Sequence, residues 1–356
     1  MSTVHLIPAT ADLPDRALGA KVAALFRAAD LGRVFRKQDL AAIKLHVGEP
    51  GTKTFVRPAI AAALVRQVSA VGAKPFLTDT AVLYRSPRDN AVDHARVVHE
   101  HGFDLERVGA PFVPADGLIG ADEIEVAVGG RHFDRVAIAA AIMQARSLLV
   151  LSHATGHLGT GLAATLKNLG MGCAARKGKL RQHHGQTPHI DAAGCTACGT
   201  CAEWCPSDSI TVEQHARIDP ATCLGCGECI AVCRDGAVEF GWGIMGRELQ
   251  ERVVEHAAAV VRSKRGRLAC VTVATSITKD CDCMGKAQKP LLPDIGLLAS
   301  DDPVAIDQAA WDLIRQRAGR TLESMSYRSR DGQVQLQYAE ELGLGSRRYD
   351  LVTVDG

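Results

Sequence analysis

Twelve cysteines occupy this chain of 356 residues, and their placement limits its fold more than any other feature. None precedes Cys173, and eight fall between Cys195 and Cys233. In a short secreted chain such a density would signal a disulfide framework. Here 47% of the residues are hydrophobic, enough to bury a sizeable core without cross-links. Met1 to Leu13 carry no cationic segment leading into a long apolar stretch, and no later window reaches about eighteen uninterrupted apolar residues. The expectation is a cytoplasmic protein with no membrane insertion, whose thiolates hold metal rather than one another.

The spacing carries more. Cys195, Cys198, Cys201 and Cys205 form one group, followed by Pro206; Cys223, Cys226, Cys229 and Cys233 form the second, followed by Arg234. Each reads C-x2-C-x2-C-x3-C, the bacterial ferredoxin spacing. Three cysteines separated by two residues can wrap one cubane on a tight turn, while the fourth, on the next short helix, reaches the other cluster. The pattern predicts two 4Fe–4S clusters, one on Cys195, Cys198, Cys201 and Cys233, the other on Cys223, Cys226, Cys229 and Cys205. Ala197, Gly199, Gly225 and Gly227 suit loops that turn backbone N–H groups toward sulfur. Two zinc sites could also use eight thiolates, but a zinc ribbon has no need of the third and fourth cysteine of each run. Between the runs, Ser209 to Val212 alternates and Asp219-Pro220 is expected to turn a short hairpin.

With 41 basic and 40 acidic residues the formal charge is +1. Each oxidised cluster with its thiolates adds about −2, so the loaded protein carries about −3. No basic field remains for nucleic acid. A redox partner protein is expected, and a small-molecule substrate is compatible with the pattern.

The flanks read as α/β. Ala41 to Val47, Pro75 to Thr78, Leu148 to Ser152, Leu268 to Thr275 and Ile295 to Ala299 are strand-like. Pro58 to Val71, Asn90 to His101, Leu162 to Leu169, Arg247 to Ser263 and a stretch from Pro303 capped by Asp301 or Asp302 are helix-like. Glu123 to Val128 and Arg131 to Ile138 read as a hairpin turning at Gly129-Gly130. Because strand and helix resume after the cysteines, we expect a mixed-sheet α/β domain interrupted by a small α+β ferredoxin-like insert. Its first part spans residues 1–189, the insert 190–240 and its second part 241–356.

The segments Lys44-Leu45-His46-Val47-Gly48-Glu49-Pro50-Gly51, Phe76 to Thr80, Asn90 to His94, Leu166 to Cys173 and Asp280-Cys281-Asp282-Cys283 add a resemblance. From about Ala41 onward the chain resembles the uncharacterised Fe–S centre proteins of domain-of-unknown-function family 362 that carry an internal two-cluster ferredoxin module. The resemblance implies a cytoplasmic iron–sulfur protein and no particular substrate.

Four cysteines are left over. Cys270 lies in an apolar strand and reads as core. Cys281 and Cys283 put two sulfurs on one side of an extended polar segment, and Cys173 follows Gly-Met-Gly. These three are expected to form a third metal site, completed by His153, His157 or Asp282; free thiols or a redox-active thiol pair are the alternative. Ser152 to Gly161 reads as a glycine-rich loop at a strand end, leading into a helix N-terminus that could hold an anion. Lys167 and Asn168 on that helix, with Lys44 and His46 at another strand end, are the remaining catalytic candidates beside His153 and His157. The basic run Arg176 to His184 reads as solvated surface. The resulting expectation is an electron-transfer protein relaying electrons between two clusters and a redox or metal site in the α/β domain. A non-catalytic carrier or a metal or cofactor assembly protein is the alternative.

Overall fold

The apolar run ending at Lys44 pairs on both edges with other apolar runs, and that pairing organises the chain. The computed structural model describes residues 2–183 and 187–355. Its main sheet has seven strands: β1 (Ser2–Pro8), β2 (Leu40–Lys44), β3 (Lys74–Thr78), β4 (Ser147–His153), β5 (Leu268–Ala274), β6 (Gly296–Ser300) and β7 (Tyr349–Thr353), in the order β3-β2-β4-β5-β6-β1-β7. Strands β3, β2, β4 and β5 are mutually parallel, and β7 is parallel to β1. β6 runs antiparallel to both of its neighbours. The fold is mixed α/β with a mainly parallel central sheet.

Strands β4 and β5 are apolar on both faces because helices cover both faces. Leu149, Leu151, Ala269, Val271 and Val273 share one core with helices α1 (Asp15–Ala28) and α2 (Pro58–Ala70). Leu148, Val150, Leu268 and Cys270 share the other, which α3 (Thr165–Gly170), α4 (Gly246–Ser263) and α5 (Pro303–Ala318) help to close. Each fully buried Val or Leu contributes about 1.5–3 kcal/mol relative to exposure. Asp302 caps α5 by accepting the Val304 and Ala305 N–H groups, with Pro303 at the first helical position. Asn90 caps the helix Ala91–Glu100 in the same way.

The hairpin expected after Glu123 is present, but its turn is longer than two residues. Strands Glu123–Ala127 and Arg135–Ala139 pair, and the loop between them closes on Glu255 of α4. That carboxylate accepts backbone N–H groups from Arg131, His132 and Phe133. A tertiary acceptor, invisible to local turn rules, holds the wider loop open.

Sheet strands come from both sides of the cysteine-rich segment. His189–Ile190 pairs antiparallel with Val238–Glu239, which brings the entry and exit of that segment together. Inside it, Ile210–Val212 pairs with Ala216–Ile218. The turn therefore lies at Glu213 to His215, and Asp219-Pro220 follows the second strand instead of joining the two. The two cysteine loops repeat one backbone pattern: Ala197 and Gly199 in the first match Gly225 and Gly227 in the second, all at positive φ. Short helices, Thr200–Glu203 and Glu228–Val232, follow. No helix among the described residues is long and apolar enough to cross a membrane.

Candidate functional site

The parallel strands β2, β3 and β4 end beside one cavity of about 510 Å³. A cavity in this position follows from the open α/β sheet, where strand ends leave a crevice between diverging loops. Lys44, His46, His153, His157, Lys167 and Asn168 all line it, as do Cys281, Asp282 and Cys283.

Its charged wall is a buried network. Lys44 Nζ lies 2.9 Å from Asp79 Oδ1 and donates to Asn168 Oδ1 at 2.7 Å. Arg88 bridges Asp79 Oδ2 at 3.0 Å and Glu49 Oε2 at 2.9 Å. Burial by itself would raise the Asp79 carboxyl; Lys44 and then Arg88 outweigh it and hold the group well below the carboxylate range. Burial, with Arg88 at 3.0 Å from Nε2, keeps His46 uncharged. Asp79, Arg88 and Glu49 are site residues that sequence reasoning missed. Asp79 had a signal, since it stands one residue past the end of a strand, whereas Arg88 lies in an irregular loop.

Across the cavity, the loop carrying Cys281 and Cys283 is pinned on several sides. Glu49 N–H donates to Asp282 O at 2.9 Å, and Gly51 approaches Gly285 so closely that a Cβ on Gly51 would meet the Gly285 carbonyl oxygen at 2.6 Å. The structure joins Cys281 and Cys283 in a disulfide, so these two sulfurs hold one another, contrary to the expectation for the cysteines at large. Cys173 is not with them. It is buried among Ala139, Ile142 and Leu169 in the core, its thiol donates to Asn168 O at 3.6 Å, and burial pushes it up to about 11. Its sequence neighbours Met171 and Gly172 reach the cavity instead.

The ligand-type group that does close is His157, Cys281 and Cys283, whose atoms lie within 4.8 Å of one another, a possible metal site. His153 turns away from it: Nδ1 is 2.9 Å from Asp282 Oδ2 and Nε2 is 2.9 Å from Thr275 O. Burial lowers the His153 imidazole, but the Asp282 carboxylate and the Thr275 carbonyl outweigh burial and raise it. Both its nitrogens and one Asp282 oxygen are thereby engaged, which removes them from a metal's reach.

Three further expectations change. The glycine-rich stretch is a short hairpin, Thr155–His157 with Gly161–Ala163, and α3 starts only at Thr165. The N–H groups of Thr165 and Leu166 donate to the buried Asp307 carboxyl group at 2.8 and 2.7 Å, so the α3 N-terminus already has its acceptor. The basic run is not solvated surface. In the helix Arg176–His183, Arg176 donates to the Ile119 and Val82 carbonyls, Lys179 donates to Thr80 Oγ1 at 2.7 Å, and His183 is buried against Trp242. His184 lies outside the described residues.

In the cysteine-rich segment, Cys195, Cys198, Cys201 and Cys233 bound a small cavity. Burial, then Cys233, pushes up the Cys201 thiol; burial pushes up Cys226, and Cys205 and Cys223 add to it. Cys233 thus stands beside the first run and Cys205 beside the second. Backbone N–H groups of Ala216, Ser209, Gly225 and Ala237 donate to the sulfurs of Cys195, Cys205, Cys223 and Cys233 at 3.2–3.4 Å. Such donors stabilise thiolates, the form in which cysteine binds metal. Single tetrahedral zinc needs sulfurs about 3.8 Å apart. Among the described residues, the group gathered within 4.8 Å is that of His157, Cys281 and Cys283, not one of these sets. The eight sulfurs and their N–H donors suit thiolate ligation of a metal or cluster.

A protein-family profile described as domain of unknown function DUF362 matches residues 41–312, which is 272 of the 356 residues. The chain belongs to that family. No curated protein matches this DUF362 chain in sequence. Among solved structures, the lactate racemase apoprotein from Thermoanaerobacterium thermosaccharolyticum is similar at 11% identity and a TM-score of 0.39, covering 77% of the DUF362 chain and 50% of its own. A protein from Thermotoga maritima is similar at 7% identity and a TM-score of 0.45, covering 86% and 59%. The chain thus spans half to three fifths of the length of these two.

Proposed function

We propose that this DUF362 protein transfers electrons between two 4Fe–4S clusters and a redox site in the cavity of its α/β domain. The first cluster is assigned to Cys195, Cys198, Cys201 and Cys233, the second to Cys223, Cys226, Cys229 and Cys205. When bound, the clusters supply one-electron chemistry. A cytoplasmic redox partner protein and a small-molecule substrate complete this reading.

The observation that supports it is where the second cysteine run meets the cavity wall. Gly227, between Cys226 and Cys229, packs on Arg176 and Leu180, whose helix turns Lys179 and His183 into the cavity. Near Cys233, the Arg234 carbonyl accepts from Arg85, whose neighbour Tyr84 lines the same cavity. Trp242, just after the segment, packs on His183 and Tyr84. A carrier that only docked partners would have no need to seat the second cysteine run on the wall of an internal cavity.

Anaerobically purified protein should contain about eight irons and eight sulfides per chain. Cys205→Ser should perturb the second cluster and Cys233→Ser the first. Stoichiometric zinc in place of iron, with no visible chromophore, overturns the proposal.

A further inference from the structure

The cavity wall around Cys281 carries chemistry that electron relay alone does not explain. We propose that Cys281 and Cys283 are a redox-active disulfide, the two-electron site facing the cavity, with Lys167 as the cation that receives the Cys281 sulfur. The electron source rests on the iron–sulfur reading; the assignment of the disulfide rests on the geometry around it.

A structural cross-link is a poor account of this bond. It joins residues at a sequence separation of two, and loop closure stabilises least when the loop is short. The loop is already pinned by Glu49, by the Tyr84 hydroxyl 3.2 Å from Cys283 O, and by the Thr52 hydroxyl donating to Met284 O at 3.0 Å. What surrounds the sulfurs instead serves thiolates. Lys167 Nζ lies 4.0 Å from Cys281 Sγ, and among the described residues no carboxylate is within ion-pair distance of it. An ammonium group there stabilises a thiolate as the bond opens.

His157 fits the same role better than that of a metal ligand. Its Nδ1 accepts N–H groups from Gly159 and Thr160, both at 3.1 Å. The neutral ring therefore carries its proton on Nε2, and it has a hydrogen to offer rather than a lone pair.

The step balances simply. The S–S bond takes up two electrons, which the two clusters, when bound and reduced, would supply one each, and breaks. The sulfurs take up two protons, one from the Lys167 ammonium and one from solvent in the cavity, leaving two thiols; Lys167 regains its proton from solvent. Reversal returns two electrons and two protons.

The test is a reductive titration of the cluster-loaded protein with a viologen radical, a one-electron donor. The wild type should consume about four electrons per chain and the Cys281→Ser/Cys283→Ser variant about two. Before reduction, Cys281 and Cys283 should resist alkylation; afterwards both should be labelled, as read by peptide mass. Equal electron uptake overturns the inference, as does one metal ion per chain bound by both sulfurs with no disulfide regained on oxidation. Failure of the iron–sulfur reading is distinct, since it shows in the iron count, and alkylation then still decides the disulfide.

Discussion

The Lys167 amine lies 4.0 Å from the Cys281 sulfur, and both line the cavity. One comes from a helix behind β4, the other from a loop more than a hundred residues later, and nothing in either segment announces the other. Burial, with Lys44 and Arg88 nearby, pulls the Lys167 ammonium down to about 8.

Lys167→Met removes that cation. Alkylation of reduced Cys281 at pH 7 should slow roughly ten-fold, a loss equal to a thiol pKa rise of about one unit. The disulfide form should meanwhile become more stable. Below pH 8 the wild type carries a charge that burial disfavours. Between pH 8 and 10.5 the folded state sheds that proton first, so wild-type stability rises. The variant's advantage, up to about 3 kcal/mol at pH 7, should shrink toward pH 10.5 in denaturant melts.

Asp79→Asn should cost about 3–5 kcal/mol, because it leaves Lys44 and Arg88 buried without their shared carboxylate. With Lys44→Met added, the double variant should lose less than the sum of the two. The Asp79 carboxyl is held below the usual range, so its contribution is whole above about pH 4 and fades as pH falls. Urea unfolding at pH 3 and pH 7 checks both points.

Gly170→Ala should destabilise by at least about 1–3 kcal/mol. An added Cβ would stand 2.0 Å from the Val253 carbonyl oxygen, where α3 crosses α4. Because the clash is with backbone, Val253→Ala should not rescue it in thermal melts.

Ala197→Gly should stabilise by about 1 kcal/mol, since Ala197 sits at φ 55 where its counterpart in the second loop is Gly225. Gly225→Ala should cost a similar amount. Thermal melts of the cluster-loaded protein read both.

The strand run ending at Lys44, the capped helix after Asn90 and the repeated cysteine loops were legible because each is set by local pattern. Strand alternation, a cap residue and a fixed spacing need no partner elsewhere. The hairpin turn near Gly129 was misplaced because Glu255 closes it from α4. Arg176, Lys179 and His183 read as surface because their acceptors, among them Thr80 and the Val82 carbonyl, lie about a hundred residues away. Cys173 read as a ligand because sequence shows a thiol near glycines and not the core that surrounds it.

The sequence alone determined the chemistry available: eight cysteines at cluster spacing, a C-x-C pair, and lysines and histidines at strand ends of an α/β pattern. Tertiary structure decided which of them meet. It left Lys167, among the described residues, with no carboxylate at ion-pair distance, turned His153 onto Asp282, filled the α3 N-terminus with Asp307 and set Cys281 against Cys283. Spacing along a chain specifies local geometry, whereas burial and charge pairing depend on groups that only folding brings together.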